Sequence, residues 1–357
     1  MSLLGVGIIG FGRIGAEHAA WLAASANARA VAVADATPAR QGLARERGLR
    51  VHATVPALLA DPTVSAVLVA TPTAMHFDHA RLALTAGKHL LVEKPIALDL
   101  SQARHLVEQA DAAKLVLSVF HNRRWDLDYL TVRRALASGV LGKLINIESR
   151  LGQWASCVGP AAREYRPQWR NEATFGGGGL YDWGSHFVDQ IWRLLWPAKP
   201  LRVFAQLRGN VWTQDCDDFA RVLIDFDNGV AALVEINTTS MHPLERWRID
   251  GTRGSASSPH SPQFDTKVWA QLTYSSAPQS GPLTPEMAID QALLPVAAPG
   301  LSEAQIWDRF ADAVAGRGEP AVTPRSVLCT MALLDAARES GRTGQAVDVT
   351  SAVDWCI

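Results

Sequence analysis

Asp182 and His186 stand four residues apart in a stretch that reads as a helix over 181–195, so both side chains are expected on one helix face. A neutral imidazole can take a hydroxyl proton at neutral pH, and a carboxylate beside it would stabilise the imidazolium that forms. Lys94 ends an apolar run that reads as a parallel strand. That edge is where doubly wound sheets place ligands, and an ammonium there can stabilise a developing alkoxide. Taken singly, these residues have plainer readings as a packed helix histidine, a solvated lysine and a turn-forming aspartate. Together they are the residue types that alcohol chemistry would need.

A second constellation is Gly10-Phe11-Gly12-Arg13-Ile14-Gly15, a GxGxxG pattern directly after a short apolar run and at the start of a helical one. Gly10 supplies the tight turn, Gly12 lets a pyrophosphate approach the backbone, and Gly15 lets helix and strand pack closely. The helix N-terminus then offers N–H groups to phosphate. Asp35, at the end of the run 31–35, stands where a carboxylate reaches an adenosine ribose and repels a 2′-phosphate. NAD is therefore the expected cofactor, with NADP left possible by Arg40 and Arg45 downstream.

The elements that must position these groups follow two grammars. Apolar runs at 6–9, 30–34, 66–70, 89–93 and 115–119 alternate with helical segments at 17–24, 76–86 and 101–113. Such β-α-β repetition implies a Rossmann doubly wound parallel sheet. Gly87 reads as a helix stop, and Asp99 with Gln102 as a helix cap and its return partner. After a helix at 127–138, strands follow one another at 144–150, 202–208, 220–226, 230–238 and 246–250, with a hairpin turn at Asp227-Asn228-Gly229. The fold class is α/β: an N-terminal Rossmann domain over 1–122 and a C-terminal α+β domain over 123–357 with a mostly antiparallel open sheet. Residues 255–299 read as a loose excursion around a strand at 267–274, and helices at 306–315 and 325–340 close the pattern. Alternating apolar positions Val222, Ile224 and Phe226, or their neighbours, are expected to be under-covered and to make the open sheet a subunit interface.

Composition narrows the partners. The 357 residues, 48% hydrophobic, suit two domains, and 34 basic against 35 acidic side chains leave no single-sign field for nucleic acid or an anionic membrane. Cys157, Cys216, Cys329 and Cys356 make no Cys-x-x-Cys pair, so no metal site is expected and the thiols read as reduced. No basic segment leads into an apolar core near residue 1, and no run approaches the roughly 20 apolar residues of a membrane span. A cytoplasmic homodimer or homotetramer acting on a small molecule is expected.

The string Ala86-Gly87-Lys88-His89 leading into Glu93-Lys94-Pro95 resembles a signature of the glucose-fructose oxidoreductase/inositol dehydrogenase (Gfo/Idh/MocA) family. A further signature of that family is similar to Gly176-Gly177-Gly178-Gly179-Leu180-Tyr181-Asp182-Trp183-Gly184-Ser185-His186 followed by Asp189. The resemblance runs through nearly the whole chain. It implies that Lys94 binds the substrate hydroxyl beside the nicotinamide, that His186 is the acid/base with Asp182 assisting, and that a cis bond precedes Pro95. It also implies cofactor contacts from the glycine turn, the Thr71-Pro72 turn, His76, Glu93 and Asn122. The activity implied is hydride transfer between nicotinamide and a secondary alcohol of a sugar, sugar acid or inositol. An NAD-dependent glycoside hydrolase acting by transient oxidation and a non-catalytic NAD(P) sensor remain alternatives.

For the substrate itself, flat aromatic faces and guanidinium groups suit a polyhydroxylated ring. Trp154, Tyr165 and Trp169, with Arg163, Arg166 and Arg170 in the same stretch, are the candidates. Arg123 or Arg124, in the joining segment His121-Asn122-Arg123-Arg124-Trp125-Asp126, is another, and each reads equally well as half of a structural ion pair.

Overall fold

The computed structural model describes residues 3–155, 157, 169–276 and 289–353. Tyr165, Arg163, Arg166 and Cys356 lie outside the described residues. Six strands, β1 (Leu4–Ile9), β2 (Ala28–Ala34), β3 (Arg50–His52), β4 (Ala66–Val69), β5 (His89–Val92) and β6 (Leu117–Val119), form one sheet in the order β3-β2-β1-β4-β5-β6. Every neighbouring pair in it is parallel. The strands are apolar because both faces are covered, and all four side chains of β4 are buried. Each such Val or Leu contributes about 1.5–3 kcal/mol by leaving water.

Helix boundaries follow local chemistry. Asp99 caps the helix Leu100–Ala113 by accepting from Gln102 N at 2.8 Å, while the Gln102 side chain returns to Leu98 N rather than to the cap residue. Gly87 takes a positive φ of 72° just past the helix His76–Thr85, where a side chain would be strained. The bond between Lys94 and Pro95 is cis.

The second sheet contains β7 (Leu144–Gly152), β8 (Pro200–Arg208), β9 (Phe219–Phe226), β10 (Ala231–Asn237), β11 (Trp247–Gly251), β12 (Gly254–Ser257), β13 (Thr273–Ser276), β14 (Asp290–Leu293) and β15 (Val347–Asp348). Its order is β14-β13-β12-β11-β7-β10-β9-β8-β15, antiparallel throughout except where β7 meets β10. The turn before Gly229, at φ 82°, joins β9 to β10 as expected. Helices Ser185–Leu195 and Leu328–Thr343 cover one face.

One expectation is corrected, and another is resolved between its two alternatives. The stretch 267–274 is not one strand, because the Asp265 carboxylate accepts from Lys267 N and Val268 N and starts the short helix Thr266–Trp269 before β13. Val222, Ile224 and Phe226 are fully covered by the helices, and it is their alternate neighbour Leu223 that is 45% exposed on the open face. The excursion after residue 254 also supplies three strands that extend the sheet.

The helix Glu303–Val314 returns to the first sheet. Its Ile306, Trp307 and Phe310 pack with Val6, Ile8 and Phe11, and Asp308 accepts from the backbone N–H groups of Ala26 and Asn27 at 2.8 and 3.1 Å. Among the described residues no helix is long and apolar enough to cross a membrane.

Candidate active site

A single cavity of about 1270 Å³ runs along the C-terminal edge of the parallel sheet and into the gap facing the second sheet. Its floor is the glycine turn between β1 and the helix Arg13–Ala23. Gly10 has φ 91°, and a Cβ there would lie 2.8 Å from the carbonyl oxygen of Ala70. A Cβ at Gly15 would lie 2.1 Å from the carbonyl oxygen of Gly10, so helix and strand touch backbone to backbone. No side chain caps this helix at Gly12, which leaves its first N–H groups facing the cavity, the usual cradle for a pyrophosphate. Asp35 follows β2, and its carboxylate accepts from Phe11 N at 2.7 Å and from Thr37 N at 2.9 Å. These bonds fix it beside the turn with acceptor capacity left for a diol. Arg40 approaches the same carboxylate at 3.7 Å. The residues present thus fit a dinucleotide.

At the other end of the cavity the cis Lys94–Pro95 bond follows β5. The Lys94 ammonium donates to the Asp182 carbonyl oxygen at 2.7 Å and to its Oδ1 at 3.1 Å. Arg170 Nε donates to the same Oδ1 at 3.3 Å. Burial alone would raise the Asp182 pKa, but Lys94 and Arg170 hold it below the usual carboxylate range. His186 lines the cavity next to this pair, 5% exposed, and its Nδ1 has no hydrogen-bond partner among the described residues. Burial first, then the charges of Lys94 and Arg123, push its pKa well below 6.5, so the imidazole is neutral and able to accept a proton.

The expectation that Asp182 serves His186 is therefore changed in one respect. Its hydrogen bonds go to the two cations and none goes to the imidazole. The helix opens with a wide π turn, Leu180–Gly184, before the α-helix Ser185–Leu195, and this interrupts the α-helical phase between the two residues.

The glycines of 176–179 are closely packed where they border the cavity. A Cβ at Gly177 would lie 2.4 Å from the Arg170 carbonyl oxygen, and one at Gly178 would lie 2.3 Å from Asp217 Oδ1. Asp217, whose pKa burial raises to about 6, accepts from Leu180 N at 2.7 Å. Loop, Arg170 and Asp182 are thereby locked together.

The remaining candidates separate. Thr71, Pro72, His76, Glu93, Asn122, Arg123 and Trp169 line the cavity together with Phe11, Arg13 and Ile14. His76 bridges the turns after β4 and β5, with Nε2 2.9 Å from the Thr71 carbonyl oxygen and Nδ1 2.8 Å from that of Pro95. Asn122 donates to Glu303 at 3.4 Å. Arg123 pairs with Asp126 at 3.1 Å and lies over Phe264 and Trp183. Trp169 lies under Arg170, 4.4 Å from ring centroid to guanidinium carbon. Trp154 sits outside the lining, against Trp212. Arg124 is structural, pairing with Asp189 at 2.6 Å.

Sequence reasoning missed His18, Trp307 and His121. His121 lies behind the site, its ring centroid 5.6 Å from that of His186 and its Nδ1 4.0 Å from Asp189, and burial lowers its pKa to about 4. No local pattern marks it.

A classical-order parallel sheet facing an open mixed sheet, with a dinucleotide cavity leading to lysine, aspartate and histidine, is the build of an NAD(P)-dependent oxidoreductase. Residues 4–121 match the model of the Gfo/Idh/MocA oxidoreductase family, NAD-binding Rossmann fold, and residues 129–257 match a C-terminal domain model of that family. The chain belongs to this family. It is 34% identical over 253 residues to the uncharacterized oxidoreductase YdgJ of Escherichia coli, covering 70% of this chain and 69% of that protein. It is 39% identical over 147 residues to the inositol 2-dehydrogenase of Rhizobium meliloti, covering 40% of this chain and 44% of that protein. An NAD-binding protein from Listeria innocua superposes with a TM-score of 0.85 at 28% identity, covering 97% of each chain.

Proposed function

We propose that this oxidoreductase interconverts a secondary alcohol and a ketone on a sugar, sugar acid or inositol, with residues 1–122 holding the dinucleotide and 123–357 the substrate. The observation that carries this reading is the meeting of Lys94 and Asp182 beside His186 at one end of the dinucleotide cavity. When bound, the nicotinamide supplies the hydride acceptor. The neutral imidazole of His186 takes the hydroxyl proton. Lys94, aimed by Asp182, donates to the alcohol oxygen and stabilises the charge that develops on it as the C–H bond breaks. Asp182 acts on the lysine as an orienting acceptor, and Arg170 shares that carboxylate. Trp169 and Arg123 form the substrate wall, an aromatic face and a guanidinium suited to a polyhydroxylated ring. The likeness to an inositol 2-dehydrogenase supports this substrate class. Asp35 favours NAD. The open face of the second sheet joins two copies of the chain.

The test is net NADH formation against inositols, aldoses and sugar acids, with NADP compared in parallel. Reduction with one of these alcohols, lost in Lys94→Ala with dinucleotide binding retained, is the expected result. Cleavage of a glycoside without net cofactor reduction would replace this reading with the hydrolytic one, and binding without turnover of any alcohol or glycoside would leave a sensor.

A further inference from the structure

Glu93 is the buried acid that precedes Lys94, and it lines the same cavity. Its surroundings fix the direction of three hydrogen bonds. The Trp307 indole can only donate, and its Nε1 lies 3.1 Å from His18 Nδ1, so that ring nitrogen is the acceptor. The ring proton of His18 then sits on Nε2, which donates to Glu93 Oε1 at 2.8 Å. Glu93 Oε2 accepts from Lys94 N at 3.0 Å. Each oxygen thus faces a donor, which suits a carboxylate and leaves no acceptor for an acid proton. His18 is fully buried, enclosed by the rings of Trp21, Phe120 and Trp307 at 4.7, 4.3 and 5.6 Å.

We propose that Trp307 and His18 are positioning residues that maintain a buried carboxylate on Glu93, and that this carboxylate favours the oxidised, cationic dinucleotide over the reduced, neutral-ringed one. The inference rests on the proposed placement of the nicotinamide beside Lys94. The donors on Glu93 are a neutral imidazole and a backbone N–H, while two hydrogen bonds of the Lys94 ammonium go to Asp182 and none to Glu93. The carboxylate is therefore hydrogen-bonded by neutral donors, and the Lys94 charge acts on it only through space. Buried as Glu93 is, its negative charge attracts the positive ring of the oxidised cofactor and is indifferent to the reduced one. Burial alone would push the Glu93 pKa up, and His18 first, then the charge and backbone N–H of Lys94, bring it below the usual range. The relay also ties the helix Glu303–Val314 to the acid at the site, through residues far apart in the chain.

The test is the dissociation constant of each cofactor form, measured calorimetrically on the whole chain. Glu93→Gln is expected to weaken NAD binding about tenfold relative to NADH, the size of one partly screened charge. His18→Gln should keep the wild-type ratio, because an amide can accept from the indole and donate to the carboxylate. His18→Leu, which cuts the relay, should shift the ratio in the same direction as Glu93→Gln. Equal weakening of both forms in Glu93→Gln, or no change in either, overturns the proposal and leaves the acid a structural element. Because Glu93→Gln preserves shape and His18→Gln keeps a donor and an acceptor, they decide the matter even if His18→Leu fails to fold. Failure of the wild type to bind either form, with NADP and NADPH tried as well, would instead reject the assigned dinucleotide site.

Discussion

Lys94 is held at both ends, its ammonium on Asp182 and its backbone N–H on Glu93, while His186 waits beside it without a partner on Nδ1. That asymmetry supports the proposed roles, since a fixed ammonium can polarise an oxygen and an unengaged neutral imidazole can accept a proton. Only the neutral imidazole is a base, so the oxidation rate falls as pH drops through the His186 pKa. Burial and nearby cations place that pKa well below 6.5, and the acid limb of the rate profile is expected there rather than near neutrality. His186→Asn should lower kcat by about 10²–10⁴ and abolish the limb. A wild-type limb retained in His186→Asn and lost in Lys94→Arg would make Lys94 the base. Cofactor choice is expected to turn on another pair, because Arg40 stands 3.7 Å from Asp35. In Asp35→Ser the guanidinium is released from that carboxylate and the repulsion toward a 2′-phosphate is gone. The ratio of kcat/KM for NADP over NAD should rise at least about tenfold, the worth of removing one charge at short range. An unchanged ratio would remove Asp35 from cofactor discrimination.

The elements translate these contacts into stability, and the glycine loop shows how. Gly178 has φ 106°, and an added Cβ would lie 2.3 Å from Asp217 Oδ1. Gly178→Ala should cost about 2–5 kcal/mol, combining left-handed strain with overpacking, and should reduce turnover because Arg170 rests on this loop. Gly87, at φ 72° with open space around it, should cost only about 1–2 kcal/mol as Gly87→Ala and leave turnover intact. Urea unfolding and kcat measured together check both, and equal losses at the two sites would contradict the packing argument. Much of this level was legible in the sequence, since the helix Leu127–Ser138 and the cores of the longer strands follow apolar periodicity and turn residues. What escaped has little pattern of its own. β3 is three residues long, β12 is four small or polar ones, and the helix Pro38–Glu46 buries only Ala44. Neighbouring strands and side chains hold these segments in place. The site divides in the same way. Glycines and Lys94 stand in local motifs, whereas His18 meets Trp307 across 289 residues and Asp182 meets Lys94 across 88. A carboxylate four residues before a histidine invites a local pairing, and long cationic side chains from elsewhere took it instead.

At the scale of the whole molecule, alternate side chains of β9 belong to two different surfaces. Val222 and Ile224 face the helices and are buried, while Leu223 points to the open side. On that side Phe204, Leu223 and Leu233 lie directly across from one another on β8, β9 and β10, giving an apolar row across three strands. Ion pairs frame it, Arg221 with Glu235 at 2.9 Å and Arg202 with Asp225 at 2.9 Å. An apolar centre with a charged rim of both signs is self-complementary, because a two-fold rotation sets apolar against apolar and lets basic and acidic rims meet. The wild-type chain is accordingly expected to be a homodimer or homotetramer by light scattering. Leu223→Glu should lower the mass toward a monomer while changing the unfolding free energy of the protomer little. Ile224→Ala, one residue away, should do the opposite, costing about 2–5 kcal/mol for the lost core packing while leaving the mass unchanged. A wild type that is monomeric at every concentration, or a Leu223→Glu chain that assembles like wild type, would show that this face carries no subunit.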